Sequence, residues 1–254
     1  GNERTYVVLS GLNENMPAAV QLFEKLLADA QVNKEAYTNT TSDILKARSD
    51  AKLNQGQNFS RLMSFAMYGP KSPATNLLTE AELTNMNPQE LVDRIHNQNS
   101  YKHRILYYGP SSSKDLLATI NQYHQVPAAL KDIPAGNEYS YLETPVTKVL
   151  VAPYDAKQIY MAQISNLDKK YDPAIEPIRA LYDEYFGGGM NSIVFQEMRE
   201  TRGLAYSAWA SIMPPSYLKY PYVLRTQIAT QNDKMIDAVT TFNDIINNMP
   251  ESEA

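Results

Sequence analysis

Arg199 and Tyr206 stand seven residues apart on either side of Gly203, in the stretch "QEMRETRGLAY". Arg carries a planar fork of N–H donors, and the Tyr phenol offers one more without needing a charge. Side by side at a turn, the two suit a carbonyl or a carboxylate. The same residues also have a plainer reading. Cations in the last turns of a helix, here Arg199 and Arg202, complement the helix dipole. Gly203 suits the position just past a helix end. A solvated helix end accounts for most of the cluster but does not specify the Tyr.

Just upstream lies "FGGGMNS", Phe186 to Ser192. A Gly-rich run before a helix can cradle a phosphate. This one lacks the Lys-Ser/Thr of a P-loop and follows a helix, where those loops follow a strand. It reads instead as a helix C-cap at Gly187 with a tight turn, and Asn191 or Ser192 caps the next helix. The three histidines are His96, His103 and His124. None has a partner at the spacing of the H-x-x-E-H zinc motif, so the metal reading for this chain is none. No G-x-S-x-G pattern supports a serine nucleophile.

Composition narrows the classes further. The chain has 254 residues, 43% apolar and 20% charged, the range of a folded soluble protein. Its formal charge is -5, which argues against nucleic acid as a general partner. Without Cys there is no disulfide and no thiol nucleophile. No apolar run reaches the roughly 18 residues of a membrane span. Compartment stays open between cytoplasm and periplasm. Both ends read as cut: Gly1 as a cleavage scar, and "NNMPESEA" as a helix start with no helix after it.

The elements that must position the Arg and Tyr follow from periodicity. "TYVVLSG" predicts a strand, and "NENMPAAVQLFEKLLADAQ" a helix with Val20, Phe23, Leu26 and Leu27 on one face. Asn33 caps a long polar helix reaching about Gln55. "QNFSRLMSFAMYG" is a further helix. Thr79 with Glu82 forms a capping box, and Asn87-Pro88 opens another helix. "HRILYYG" predicts a strand and "PSSSKDLLATINQYHQ" a capped helix. The aperiodic, Pro- and Gly-bearing texture from about Val126 predicts a linker. Strands "VTKVLVAP" and "KQIYMAQIS" and helix "PAIEPIRALYDEYF" follow. The glycines and helix "NSIVFQEMRE" come next, then strands "AYSAWASIM" and "YVLRTQIAT" and a last helix. The expected class is α+β, as two partial α/β units, each a mixed or antiparallel sheet with helices packed on one face. Residues 1–133 form the first unit, 134–145 the linker and 146–254 the second.

The window "LYDEYFGGGMNSIVFQEMRETRGLAYSAWAS" resembles the pitrilysin/insulinase family of zinc metallopeptidases closely over some thirty residues. "GLNENMPAAVQLFEKLL" and "HRILYYGP" resemble further family elements in order, with weaker motifs. The resemblance implies repeated α/β units, a zinc motif in an amino-terminal half and an Arg–Tyr pair in a later unit. On it the chain is the rear part of one unit and the front part of the next, from the non-zinc half. Carried over by position, the pair is Arg199 and Tyr206, with Arg202 in reserve. Tyr206 is then the donor to the scissile carbonyl, and Arg199 holds the substrate backbone. The implied cofactor is zinc, held outside this chain. The implied partners are a peptide substrate and the remaining half of the polypeptide or a partner subunit. The implied activity is peptide hydrolysis by the full-length protein, with this chain inactive alone. The alternative is a non-catalytic scaffold or core subunit of the same family.

Overall fold

The computed structural model describes residues 5–249; the expected helix start at Pro250 lies outside them. Two compact units emerge. One combines the segment ending at Arg48 with Leu78–Glu138. The other combines Ser49–Leu77 with the chain from Tyr139 onward. Residues 49–77 are thus grouped with the later part of the chain.

The first unit is helical: α1 (Met16–Ala28), the start of α2 (Lys34–Ala51), α4 (Glu80–Asn85), α5 (Pro88–His96) and α6 (Ser113–Tyr123). Their starts follow the caps. Asn33 Oδ1 accepts from Ala36 N at 2.9 Å. Thr79 and Glu82 close a full capping box, satisfying donors that a helix start leaves open. On α1 the buried stripe is narrower than the periodicity implies. Val20 is buried, but Leu26 is 63% exposed. The helices against α1 are α5 and α6, and they leave that flank uncovered. The strands expected at 5–11 and 103–109 do not form. Among the described residues this unit holds only one bridge, Tyr101 to Lys131. A strand is stabilised by its partner ladder, and Val8 and Leu106, 72% and 91% exposed, have none.

The second unit contains the sheet, which is antiparallel with order β1-β3-β2. Its strands are β1 (Gln158–Lys170), β2 (Ser207–Met213) and β3 (Pro221–Gln231). In register, Ala208 faces Ile228 and Ala210 faces Thr226. These residues present the face that packs on Phe186, Val194, Met198, Ala238, Phe242 and Ile245. Those come from the π turn Glu184–Gly188 that follows α7 (Glu176–Asp183), from α8 (Ile193–Phe195) and its π turn, and from α9 (Met235–Asn247). Also in this unit, α3 (Gln55–Tyr68) sets Phe59 edge-on to Tyr160 of β1, centroids 5.6 Å apart. The polar helix expected to reach Gln55 ends at Ala51. Asn54 then caps α3, accepting from Gln57 N at 2.9 Å. The strand expected at 146–153 is also absent, with Val149 and Val151 84% and 76% exposed. The α+β class stands, with one three-stranded sheet among the described residues.

A polar cluster fastens α7 to β2. Arg179 Nη1 donates to Asp183 Oδ2 at 2.6 Å and to the Ile212 carbonyl at 2.9 Å. Asp183 accepts in turn from Ser211 Oγ and Ile212 N. The buried Tyr222 hydroxyl donates to Glu176 Oε1 at 2.6 Å. That hydrogen bond, then Arg179, holds the Glu176 carboxyl below the usual carboxylate range. A depressed carboxyl stabilises the fold above its unfolded value, and the contribution fades as pH falls through the folded one. Thermal melts taken from pH 5 down to about 3 should therefore fall less steeply for Glu176→Gln than for the parent chain. Parallel slopes would remove Glu176 as a source of acid sensitivity.

Candidate functional site

Ser192 opens the helix that carries the Arg. Its buried Oγ accepts from Phe195 N at 3.3 Å, and its φ/ψ is extended, as an N-cap requires. After one turn the helix widens into the π turn Gln196–Thr201. Val194 and Met198 are fully buried and anchor this element to the sheet. Gly203 ends it in the left-handed region at φ 56°. Its amide donates to the Arg199 carbonyl at 3.1 Å, and Leu204 N donates to the Met198 carbonyl at 2.8 Å. Tyr206 follows, and its amide joins the sheet by donating to the Ala229 carbonyl at 2.9 Å.

The turn brings the two side chains together. The Arg199 guanidinium carbon lies 5.3 Å from the Tyr206 ring centroid and 5.0 Å from that of Phe195. A guanidinium at this range is attracted by the ring quadrupoles, by about 0.5–1 kcal/mol at an exposed site. Arg199 Nε also lies 3.5 Å from Glu200 Oε1. Tyr206 is 71% exposed. Among the described residues its hydroxyl has no hydrogen-bond partner. The ring is thus held by backbone and cation while the phenol stays open. Arg202 turns elsewhere, its Nε donating to Glu197 Oε2 at 3.3 Å. Arg199, not Arg202, is therefore the cation beside Tyr206. Phe195 is a member of this cluster that the sequence reading passed over. Its i, i+4 spacing to Arg199 was the available signal. The single Trp, Trp209 on β2, stacks against a different cation, Arg225, at 5.0 Å.

Gly187 does something other than cap. Gly187 lies inside the π turn Glu184–Gly188 and is buried. A Cβ placed on it would stand 2.8 Å from Ala210 Cα and overlap the Ala210 backbone N and O. Gly187 is there so that the turn can touch β2, a close approach and not a helix cap. Capping was the wrong reason for it.

Among the described residues no group of three or more His, Asp or Glu side chains is arranged to hold a metal ion. His103 and His124 meet each other in the first unit, and His96 Nε2 lies 3.0 Å from the Ala30 carbonyl. The donors present do not fit a catalytic zinc, which takes three protein ligands. No helix among the described residues is long and apolar enough to cross a membrane.

Solved structures share this fold. A protease from Helicobacter pylori aligns over 94% of this chain and 59% of its own, with 11% identity and TM-score 0.65. The periplasmic protease PqqL from Escherichia coli aligns over 92% of this chain and 26% of its own, with 14% identity and TM-score 0.65. The ferredoxin protease FusC, solved with Arabidopsis ferredoxin, aligns over 93% of this chain and 26% of its own, with 11% identity and TM-score 0.58. This chain thus spans about a quarter to three-fifths of their lengths. No curated protein matches it. The family described as "Peptidase M16 inactive domain" matches residues 105–253, which include the helix, the glycine turns and the whole sheet. The chain therefore belongs to the M16 peptidase family, through its inactive domain.

Proposed function

We propose that this chain is the substrate-binding, non-zinc portion of an M16 peptidase that hydrolyses peptides, with Arg199 and Tyr206 contacting the substrate. One observation carries the reading: the fold holds the Tyr206 ring against Arg199 while the phenol hydroxyl stays unpartnered and exposed. Arg199 binds a peptide carbonyl of the substrate and fixes register. Tyr206 donates to the scissile carbonyl oxygen as negative charge develops there. Groups outside this chain, zinc among them, supply the water-activating chemistry, so the chain alone cleaves no peptide. The protein partner seen with FusC supports a polypeptide as the class of substrate. The second reading is a scaffold without catalytic contacts, which the description "inactive domain" also fits.

The test uses the full-length enzyme and an unstructured peptide. Arg199→Ala should raise KM about tenfold, because a substrate contact made in the ground state is lost. The stacking it gives up is worth only about 0.5–1 kcal/mol, so melting should barely move. Arg202→Ala, at the neighbouring cation, should leave KM alone. Equal effects of the two variants, or none, would favour the scaffold.

A further inference from the structure

The first unit contains a cluster of titratable side chains that peptide binding does not use. His124, at the end of α6, and His103, just past Tyr101, set Nε2 against Nε2 at 2.8 Å. Their rings are nearly perpendicular, with an interplanar angle of 88°. The far nitrogens decide what that contact holds. His124 Nδ1 lies 2.7 Å from Oε1 of Glu24 on α1. His103 Nδ1 lies 2.7 Å from the Tyr101 carbonyl oxygen. An ionised carboxylate and a backbone carbonyl can only accept, so both Nδ1 atoms must donate. A neutral ring protonated at Nδ1 presents a bare lone pair at Nε2. Two bare lone pairs at 2.8 Å repel, and a hydrogen bond between them requires one ring to be imidazolium.

We infer that Glu24, His124 and His103 form a site that binds one proton, and that this proton ties α1 and α6 to the segment after Tyr101. His124 is the charged ring, because its Nδ1–H meets the carboxylate. Asn99 Nδ2 donates to the other Glu24 oxygen at 2.8 Å and fixes the carboxylate. The His124 and Glu24 side chains are only 13% and 15% exposed, so water screens the pair weakly. Lys102 pairs with Asp132, and the Lys131 ammonium lies 5.8 Å from the Tyr101 ring centroid. From α5, His96 meets the Ala30 carbonyl. A second proton would set two imidazolium rings face to face, and loss of the first would set two lone pairs face to face.

Long-range ¹H–¹⁵N spectra of the histidine rings in the labelled 254-residue chain test this. Both rings should carry a proton on Nδ1, and His124 alone a second on Nε2. Glu24→Gln keeps an acceptor for His124 Nδ1 but removes the charge. The ratio of charged to neutral His124 should then fall about tenfold or more. His103→Ala lies on an exposed segment away from the α1–α6 packing and should lower the same ratio, which covers the case in which Glu24→Gln fails to fold. A bare Nδ1 on either ring in the parent chain would overturn the proposal, as would an unchanged ratio in both variants. Saturable one-to-one broadening of both rings by Zn²⁺ alone would also overturn it, by making the pair metal ligands.

Discussion

Tyr206→Phe should lower kcat of the full-length peptidase by a factor on the order of 10² or more and leave its melting temperature unchanged. Stability should hold because the hydroxyl has no partner among the described residues and the ring is 71% exposed. Phe keeps the ring, and with it the Arg199 stack at 5.3 Å. The substitution thus deletes one hydrogen-bond donor and nothing else. If that donor meets the carbonyl oxygen as it becomes an oxyanion, its bond strengthens toward the transition state, so the loss falls on kcat more than on KM. A Tyr that only fills space at the mouth of β2 gives no change in either constant. Full activity in Tyr206→Phe would remove the catalytic assignment and leave the scaffold reading.

Gly187→Ala should destabilise the second unit by about 3 kcal/mol, at the upper end of overpacking costs. The added methyl group meets backbone, not a side chain that can swing aside. Phe186 and Ala210, 2% and 1% exposed, are packed on all sides, so the turn and the strand must part. Parting them also loosens the contact that α7 makes through Asp183 and Ile212. Thermal unfolding followed by circular dichroism should show one transition lowered by roughly 10 °C. The second unit should be the one that moves, since Gly187 lies wholly within it. A loss below about 1 kcal/mol would mean that the turn relaxes freely and that the close approach is not required.

Helix starts were the most legible part of this fold, because caps are local. Thr79 with Glu82 and Asn87 with Pro88 each meet their helix as their spacing implies. Strands were legible only where a partner exists. The β1 and β3 runs read no more strongly than those at 5–11, 103–109 and 146–153, yet only the former pair. Apolar, β-branched sequence describes a surface suited to a sheet, and the neighbouring strand decides whether a sheet forms. Placing residues 49–77 with the later unit depends on long-range packing such as Phe59 on Tyr160, which no window of sequence contains. At the site, the chemistry of Arg and Tyr was readable, but their meeting was not. The π turn at 196–201 shifts the phase of the helix, so counting by 3.6 does not give the side on which Arg199 emerges. Family resemblance singled out the pair where residue chemistry left it open.

The interleaving of the two units sets an order of events during synthesis. Tyr68 ends α3, and the first sheet residue is Gln158 of β1, so roughly 90 residues are translated before the sheet begins to appear. At ribosomal speeds of about 5–20 residues per second, α3 waits roughly 5–18 s. Through that interval Phe59, Met63 and Met67 have no strand to cover, although both methionines finish 7% exposed. The nascent chain therefore carries an open apolar helix through a fixed delay, a surface that a chaperone holding unfinished chains would meet first. Slower elongation between Leu78 and Glu138 would lengthen that exposure without altering a single contact of the finished protein.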